Sequence, residues 1–250
     1  MSPSAAAADI VIPVYNEGAN IIAVLESFRA GLEFPVRVLI CYDREDDDTL
    51  VALQGYAAPF PIELVRNRGR GVLQAILTGL AASTAPCIIT FPADDDYNAR
   101  RLNDLIRRFQ AGADIVAASR FMPGGCMEGC PWVKAVLVRS AAFIMYHVGR
   151  VPTRDATNGL RLFSRRAIER IPIESKVGFA YSMELLVKAH RLGWPIAEVP
   201  FLWHQRKAGQ SRFRVLGWLP QYLTWLCYAM GTTHLGRGPG SVVLRDPNAR

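Results

Sequence analysis

The chain has 250 residues, of which 50% are hydrophobic and 20% are charged, and its formal net charge at pH 7 is +7. This length and hydrophobic content suffice to bury one sizeable core, which argues against a disordered chain. The basic excess indicates an anionic partner, which could be nucleic acid, a membrane surface or a phosphorylated substrate.

The five cysteines are an odd and scattered set, which is typical of free thiols in a reducing compartment. Cys126 and Cys130 have loose zinc-like spacing, but no second Cys or His pair follows at ligand distance, so we expect no zinc site there. Residues 1–8 contain no basic or long apolar stretch, so we expect a flexible N-terminus without a signal peptide and a cytoplasmic protein.

Short apolar runs alternate with amphipathic stretches through about residue 120. Runs rich in Ile and Val predict buried strands at 9–15, 36–42, 62–65, 87–91 and 114–119. Helical spacing predicts helices at 18–31, 48–57, 71–83 and 99–111. This alternation predicts an α/β fold with a mainly parallel sheet flanked by helices. Ligands of such sheets bind beyond the carboxyl ends of the strands, so polar residues after successive strands should share one edge: Asn16 and Glu17, Asp43, Arg66 to Arg70, and Asp94 to Asp96.

Beyond residue 120 the pattern predicts a loop at 121–131, a helix at 132–149, a strand at 158–165 and a helix at 179–193. The segment 215–236 is apolar and carries aromatic residues at helical spacing: Trp218, Tyr222, Trp225 and Tyr228. It predicts an amphipathic helix that either lies among lipid headgroups or covers the core, and the similar character of 132–149 favours a membrane surface. Residues 237–250 are expected to form a mobile tail.

Three consecutive aspartates stand in the run FPADDDYN at 91–98. Adjacent carboxylates repel one another unless a cation lies between them, and carboxylate oxygens are preferred ligands of hard divalent ions. The run therefore predicts a metal site. The alternative is that the trio caps a helix that begins at Asn98 or Ala99, although a cap needs only one carboxylate.

Several motifs, in order from about residue 9 to 230, resemble those of family 2 glycosyltransferases with the GT-A fold. DIVIPVYNEGANI at 9–21 is similar to the opening strand and turn of that family. Later stretches resemble its polyprenyl-phosphate sugar transferase branch, which includes the dolichyl-phosphate mannose synthases: RGVLQAILTGLA at 70–81, ADDD at 93–96, IVAASR at 115–120, NGLRLFSR at 158–165 and VPFLWHQRKAGQSRF at 199–213.

The resemblance implies a role for each matching residue. It assigns catalysis to Asp94, Asp96, Arg120 and Arg206, with Asp94 and Asp96 holding Mg²⁺ or Mn²⁺. It assigns the nucleotide-sugar site to Pro13, Tyr15, Asn16, Glu17, Asp43, Arg70, Gly71, Ala93, Asp94, Asp95, Arg206 and Arg212. It assigns supporting roles to Asn158, Arg161 and Glu184. Because an acceptor phosphate needs positioning by cations, we expect it at Arg120, Arg139 and Ser140.

Two motifs depart from the family pattern. Pro92 stands at the first position of the D-x-D metal motif, and Tyr42 replaces the first Asp of the turn that contacts the base and ribose, where Asp43, Asp47 and Thr49 match. The sugar and nucleobase therefore stay open between GDP-mannose and UDP-glucose types.

The implied partners are a nucleotide-diphosphate sugar, a polyprenyl phosphate and the inner face of a membrane, with domains at 9–214 and 215–236. A phosphate acceptor is already ionised near neutral pH, so no general base is needed, and we expect one in-line displacement with inversion. The alternatives are a saccharide or small-lipid acceptor and a catalytically lapsed, membrane-attached homologue. Nucleic acid is not expected as a partner, because the basic residues lie in turns beside acids. The oligomeric state is not encoded in any motif.

Overall fold

The computed structural model describes residues 6–204 and 215–246, which form nine strands and eight α-helices. The strands are β1 (Ala8–Val14), β2 (Val36–Tyr42), β3 (Ile62–Arg66), β4 (Cys87–Thr90), β5 (Ile115–Ser119), β6 (Cys126–Glu128), β7 (Arg161–Ser164), β8 (Ile196–Pro200) and β9 (Leu202–His204). The α-helices are α1 (Gly18–Gly31), α2 (Asp48–Ala52), α3 (Gly71–Ala82), α4 (Ala99–Gln110), α5 (Trp132–Phe143), α6 (Arg165–Arg170), α7 (Ala180–Leu192) and α8 (Val215–His234). A π-helical segment, Ile144–Val148, extends α5, and a short 3₁₀ turn follows α8 at Pro239–Ser241.

Seven strands form one sheet in the order β3-β2-β1-β4-β7-β5-β8, and β6 pairs with β9 in a separate parallel ribbon. In the large sheet β7 is antiparallel to both of its neighbours, whereas the other pairs are parallel. The predicted mainly parallel sheet is therefore confirmed. The strand order reverses between β1 and β4, and in open α/β sheets such a switch point opens a crevice for ligands at the carboxyl ends of the strands.

Apolar residues cover both faces of the sheet. On one face α1 and α4 bury Leu25, Phe28 and Leu102, and on the other face α3 and α7 bury Ile76 and Leu185. Helix α3 approaches the sheet closely because Gly79 has no side chain, and a Cβ there would lie 2.5 Å from Cγ1 of Val11 and 2.7 Å from Sγ of Cys41.

Parts of both predicted terminal segments contact the rest of the protein. The first strand begins at Ala8, which pairs with Val36 and is the last residue of the segment 1–8 that was predicted to be flexible. Within the predicted tail 237–250, two described residues also make contacts. The backbone N–H of Arg245 donates to the carbonyl of Arg170 over 2.8 Å, and Leu244 packs against the core.

Helix α8 turns its aromatic residues toward the protein and a different apolar stripe toward solvent. Trp225 is 4% exposed and donates through Nε1 to Oγ of Ser175 over 2.9 Å, so this part of α8 covers the core. The exposed residues Leu219, Leu223 and Cys227 recur every four positions on the helix. The placement of the aromatic residues among lipid headgroups is therefore wrong for Trp225. No helix within residues 6–204 and 215–246 is long and apolar enough to cross a membrane.

Candidate active site

A cavity of about 380 Å³ lies at the carboxyl edge of the sheet, beside the switch point. Pro13 on β1, Thr90 at the end of β4 and Arg120 after β5 line it, because these strands are parallel and end at the same edge. Asn158 precedes β7 and reaches the same edge because β7 runs in the opposite direction. Helices α5 and α8 close the cavity with mainly apolar side chains: Leu137, Val138, Ala141, Leu219 and Tyr222.

The turn after β1 is held by the turn after β2. The backbone N–H of Asn16 lies 3.1 Å from both carboxylate oxygens of Asp47, and the N–H of Glu17 donates to Oγ1 of Thr49 over 2.9 Å. Asp47 is buried and also caps α2. These contacts explain why Asn16 tolerates a left-handed φ of 53°. Predicted donor residues Tyr15, Asn16 and Glu17 lie at the expected edge but do not line the cavity.

Asp43 fixes the start of α3. Its Oδ1 accepts from Nδ2 of Asn67 over 2.5 Å, and its Oδ2 accepts from the N–H of Gly71 over 2.8 Å. Gly71 has a φ of +81°, a conformation that favours glycine, and the preceding Arg70 is exposed. Asp43, Arg70 and Gly71 therefore form one connected turn, outside the cavity lining.

The three aspartates after β4 have different roles. Asp95 is 8% exposed, and its Oδ1 accepts from the backbone N–H groups of Tyr97 and Asn98 over 3.0 Å each and from Nδ2 of Asn98 over 2.9 Å. Burial raises the pKa of Asp95 to about 6, against these stabilising hydrogen bonds. Asp95 thus stabilises the turn before α4, whereas the N-terminus of α4 itself has no side-chain cap, so the helix-capping alternative does not describe this carboxylate.

Asp94 and Asp96 line the same cavity and are more exposed than Asp95. Two hard carboxylate donors on one turn fit a Mg²⁺ or Mn²⁺ ion that takes its remaining ligands from substrate phosphates and water. Pro92 also lines the cavity and offers no ligand atom. The turn is tied to β9, because the side chain of Asn98 accepts from the N–H of Leu202 over 3.0 Å and donates to its carbonyl over 2.8 Å.

A basic cluster forms another part of the cavity wall. Arg120 donates through Nε and Nη2 to the two carboxylate oxygens of Asp155 over 2.6 and 2.8 Å, and through Nη2 to Oγ1 of Thr157 over 2.9 Å. Burial opposes both charges, but their mutual attraction raises the pKa of Arg120 and lowers that of Asp155. Within the described residues, Nη1 of Arg120 makes no hydrogen bond.

Arg161 adds a second buried guanidinium to this cluster. It is 0% exposed, it donates to backbone carbonyls of Ser182, Asp155 and Ala156, and burial lowers its pKa to about 10. Its Nε is buried without a hydrogen-bond partner in the described part of the chain. Arg120, Arg161 and Asp155 together carry a formal charge of +1, which is costly to bury without a counter-ion.

The predicted acceptor-phosphate residues on α5 do not reach the cavity. Arg139 and Ser140 are exposed, and the guanidinium of Arg139 lies 5.5 Å from the ring of Phe121. Lys134 lines the cavity instead, with its ammonium 5.4 Å from the ring of Trp203. Neither Arg139 nor Ser140 lines the cavity, so their assignment to the acceptor phosphate stays a prediction. The helical phase of α5 directs the face of Lys134, Leu137, Val138 and Ala141 toward the cavity.

The supporting residues act at different distances from the cavity. Asn158 lines it and donates through Nδ2 to the carbonyl of Ala118 over 2.9 Å. Glu184 is fully buried and accepts from the N–H groups of Glu174 and Ser175, over 2.7 and 2.8 Å, so it shapes the loop on which α8 docks. Ala93 is buried and does not line the cavity. Arg206 and Arg212 lie outside the described residues.

Sequence reasoning missed several residues of the cavity wall and of the basic cluster behind it. Asp155 lies 35 positions from its partner Arg120 and belongs to none of the quoted motifs. Tyr222 was noted only for the aromatic spacing of 215–236, but it lines the cavity, and burial raises its pKa to about 12. His204 lies within the quoted motif 199–213 and lines the cavity, with its ring 4.9 Å from that of Tyr97. No feature of that motif singled out His204 in the sequence.

Named relatives and solved structures agree with this architecture. The chain is 23% identical over 215 residues to a dolichol-phosphate mannosyltransferase of Pyrococcus furiosus, an alignment that spans 82% of this chain and 58% of that protein. It is 26% identical over 212 residues to a polyprenol monophosphomannose synthase of Mycolicibacterium smegmatis, spanning 81% of this chain and 79% of that protein.

The fold is similar to that of a solved glucosyl-3-phosphoglycerate synthase from Mycobacterium tuberculosis, in complex with Mn²⁺, UDP and glucosyl-3-phosphoglycerate. The TM-score is 0.67 at 18% identity, over 90% of this chain and 80% of that one. This likeness establishes the GT-A fold, a mainly parallel sheet flanked by helices. The family model for glycosyl transferase family 2 matches residues 9–172. The chain belongs to glycosyl transferase family 2.

Proposed function

We propose that this glycosyltransferase moves a hexose from a nucleotide-diphosphate sugar, of the GDP-mannose or UDP-glucose type, to the phosphate of a polyprenyl or dolichyl phosphate. The observation that carries the proposal is the buried cluster of Arg120, Asp155 and Arg161, whose formal charge of +1 lies beside a largely apolar cavity. A lipid phosphate combines an anion for the cluster with a hydrocarbon chain for the apolar walls.

The donor is assigned to the acidic turn. Asp94 and Asp96 would hold Mg²⁺ or Mn²⁺ against the donor diphosphate, and the ion would neutralise the charge of the leaving group. Asp95 keeps the turn in place by its hydrogen bonds to Tyr97 and Asn98. The contact between Asn98 and Leu202 joins this turn to β9, so the backbone that carries Asp94 and Asp96 is held in position before the donor binds.

The acceptor phosphate is assigned to the basic wall. Arg120 is oriented by Asp155 and Thr157 through Nε and Nη2, which leaves Nη1 for a phosphate oxygen. Asp155 also moderates the positive charge, so the phosphate is positioned while it stays nucleophilic. Lys134 supplies a second cation along the cavity wall.

The displacement needs no proton acceptor from the protein. A phosphate monoester has a second pKa of about 6, so at neutral pH its oxygen can attack the anomeric carbon directly. The new carbon–oxygen bond forms as the bond to the donor diphosphate breaks, and the configuration at the anomeric carbon inverts. Arg206 and Arg212, by resemblance, would close over the diphosphate.

The membrane surface is assigned to α5 and α8. Large apolar side chains are exposed on α5, among them Trp132 at 78% and Phe143 at 61%, and on α8 at Leu219 and Leu223. Neither helix contains an Asp or Glu, so both suit an anionic leaflet. Leu137 and Leu219 are exposed and also line the cavity, which connects the apolar surface to the site. We place the protein at the inner face of the membrane.

The test is a donor screen. Purified protein is incubated with Mn²⁺ or Mg²⁺, a polyprenyl phosphate and radiolabelled GDP-mannose, UDP-glucose and related donors. We expect label from one donor to enter the lipid phase. The proposal would be contradicted if the folded protein bound a donor nucleotide but transferred sugar to no polyprenyl phosphate. Transfer to a saccharide would show that the acceptor is a saccharide and not a lipid phosphate.

A further inference from the structure

A second cluster of potential metal ligands lies on the small β6–β9 ribbon. The parallel register pairs Glu128 with His204, and Cys126 lies two residues before Glu128 on the same face of β6. Nδ1 of His204 lies 3.2 Å from Oε2 of Glu128. One ligand atom of each of these three residues lies within 4.8 Å of the other two. The backbone holds the ribbon together here, since the N–H of Cys126 donates to the carbonyl of Phe201 over 3.0 Å.

We propose that Cys126, Glu128 and His204 form a binding site for a zinc-class divalent metal, distinct from the site of Asp94 and Asp96. This proposal revises the expectation from the spacing of Cys126 and Cys130, because the fold brings the distant His204 to Cys126. Ligand atoms around one zinc ion lie roughly 3 to 4 Å apart, so small side-chain rotations complete the triangle. A thiolate and an imidazole favour borderline-soft Zn²⁺, whereas Mg²⁺ and Mn²⁺ prefer the oxygen donors of Asp94 and Asp96.

The ligand set indicates an exchangeable ion. Cys126 and His204 are half-buried and Glu128 is exposed, so solvent reaches the cluster. Three protein ligands leave the fourth position of a tetrahedral zinc ion open to water, unlike the closed four-ligand sets of structural zinc sites.

The site is coupled to the cavity through His204. The imidazole of His204 lines the cavity and packs against Tyr97, the residue that follows Asp96. A zinc ion held by His204 adds a positive charge at the cavity rim and fixes this ring. Zinc occupancy is thus expected to lower sugar transfer. This expected inhibition rests on the proposed function, whereas the proposal that zinc binds does not depend on it.

Zinc binding is measured on the full chain by competition with a chromophoric chelator, and by the thiolate-to-metal absorption band with Co²⁺. Cys126→Ser and Glu128→Gln remove ligands, and Cys227→Ser, an exposed cysteine on α8, is the matched control. We expect one Zn²⁺ with equal affinity in wild type and Cys227→Ser, at least tenfold weaker binding in Cys126→Ser, and loss of the Co²⁺ band in that variant. Equal affinity in wild type and Cys126→Ser, or no binding in wild type, would overturn the site.

The Asp94→Asn/Asp96→Asn double variant separates the two metal sites, because it should retain zinc binding. Loss of zinc binding in this double variant would show that zinc occupies the acidic turn instead. In the transfer assay, Zn²⁺ should inhibit wild type and Cys227→Ser at the concentration that fills the site, and it should spare Cys126→Ser. Equal inhibition of all three proteins would refute the coupling. Zinc binding without transfer from any donor would leave the site standing and refute the proposed function.

Discussion

The acidic turn and the basic cluster of the cavity are built in opposite ways. At the turn of Asp94 to Asp96, one carboxylate is buried by capping and the other two are more exposed. In the basic cluster Arg161 is fully buried and the side chain of Arg120 is 9% exposed, and Asp155 neutralises part of their charge. A mobile ion can enter the first region from solvent, whereas the second region carries its charge permanently. This difference suits a site that recruits a metal with its donor and meets its acceptor with fixed arginine groups.

The largest expected effect comes from removing the carboxylates of Asp94 and Asp96. Asp94→Asn/Asp96→Asn should lower sugar transfer by about 10³-fold, because the leaving diphosphate loses its cation. The unfolding temperature should change little, since Asp95 still caps the turn. Asp104→Asn, on the exposed face of α4, is the control and should keep wild-type transfer. Transfer by the double variant within threefold of wild type would rule out the acidic turn as the metal site.

Asp155→Asn tests how much the ion pair between Arg120 and Asp155 contributes to stability. Removing one partner of a buried ion pair leaves Arg120 uncompensated and should cost about 3 kcal/mol of unfolding free energy at pH 7. Because the folded-state pKa of Asp155 is lowered, its contribution is present above the ordinary value of 3.8 and is lost as the pH falls further. Denaturant unfolding between pH 3 and 7 measures this, and a pH-independent difference between variant and wild type would contradict it.

Asp95→Asn should show the opposite pH dependence. The folded-state pKa of Asp95 is raised from 3.8 to about 6, so its contribution is fully present below pH 3.8 and is lost as the pH rises through 6. From this residue wild type should lose roughly 2 kcal/mol between pH 4 and 7, a loss that the variant lacks. The same unfolding series in metal-free buffer checks this. Parallel pH profiles of Asp95→Asn and wild type would show that burial does not dominate this carboxylate.

Arg120→Lys separates charge from geometry on the acceptor side. The forked donors are lost while the charge is kept, so kcat/KM for the polyprenyl phosphate should fall by about 10- to 30-fold and KM for the donor should hold. Arg139→Lys is the matched control, because Arg139 lies over the same Phe121 ring and does not line the cavity. Equal losses of kcat/KM in both variants would support Arg139 as a phosphate ligand.

The smallest effect is expected at the apolar surface. Trp132→Ser removes a side chain that is 78% exposed and should weaken partition onto anionic vesicles by about tenfold, as buried apolar area and headgroup attraction both support binding. Val51→Ser on α2, also well exposed, should partition like wild type. Vesicle co-sedimentation measures both. Unchanged partition of Trp132→Ser would remove α5 from the membrane contact.

Features that depend on local sequence were predictable. Apolar periodicity placed α1 at 18–31, with the bounds that the structure has, and the spacing of the strands predicted a shared edge for Asp43 and Asp94. The order of the motifs also indicated the family. These features need only the period of a strand or helix and the rule for parallel sheets.

Features that depend on distant partners were not predictable. Nothing near Asp155 shows that it faces Arg120, and nothing near Cys126 shows that the β6–β9 pairing brings His204 to it. On α5, Lys134 lines the cavity and Arg139 does not, and the sequence did not show which face of this helix would turn toward the cavity. The aromatic spacing of α8 fits a core-covering helix and a membrane-surface helix equally well, and only the packing of Trp225 on Ser175 separates the two.

The central claim is that the acidic turn binds the donor and that Arg120 binds a lipid phosphate. Its most direct test compares acceptors at a fixed donor and metal concentration. A long-chain polyprenyl phosphate and 3-phosphoglycerate offer the same phosphate chemistry, but only the first can fill the apolar cavity beside Arg120. We predict that kcat/KM for the polyprenyl phosphate exceeds that for 3-phosphoglycerate by at least 10²-fold. Preferred transfer to 3-phosphoglycerate would contradict the account and assign the cavity to a small phosphorylated acceptor.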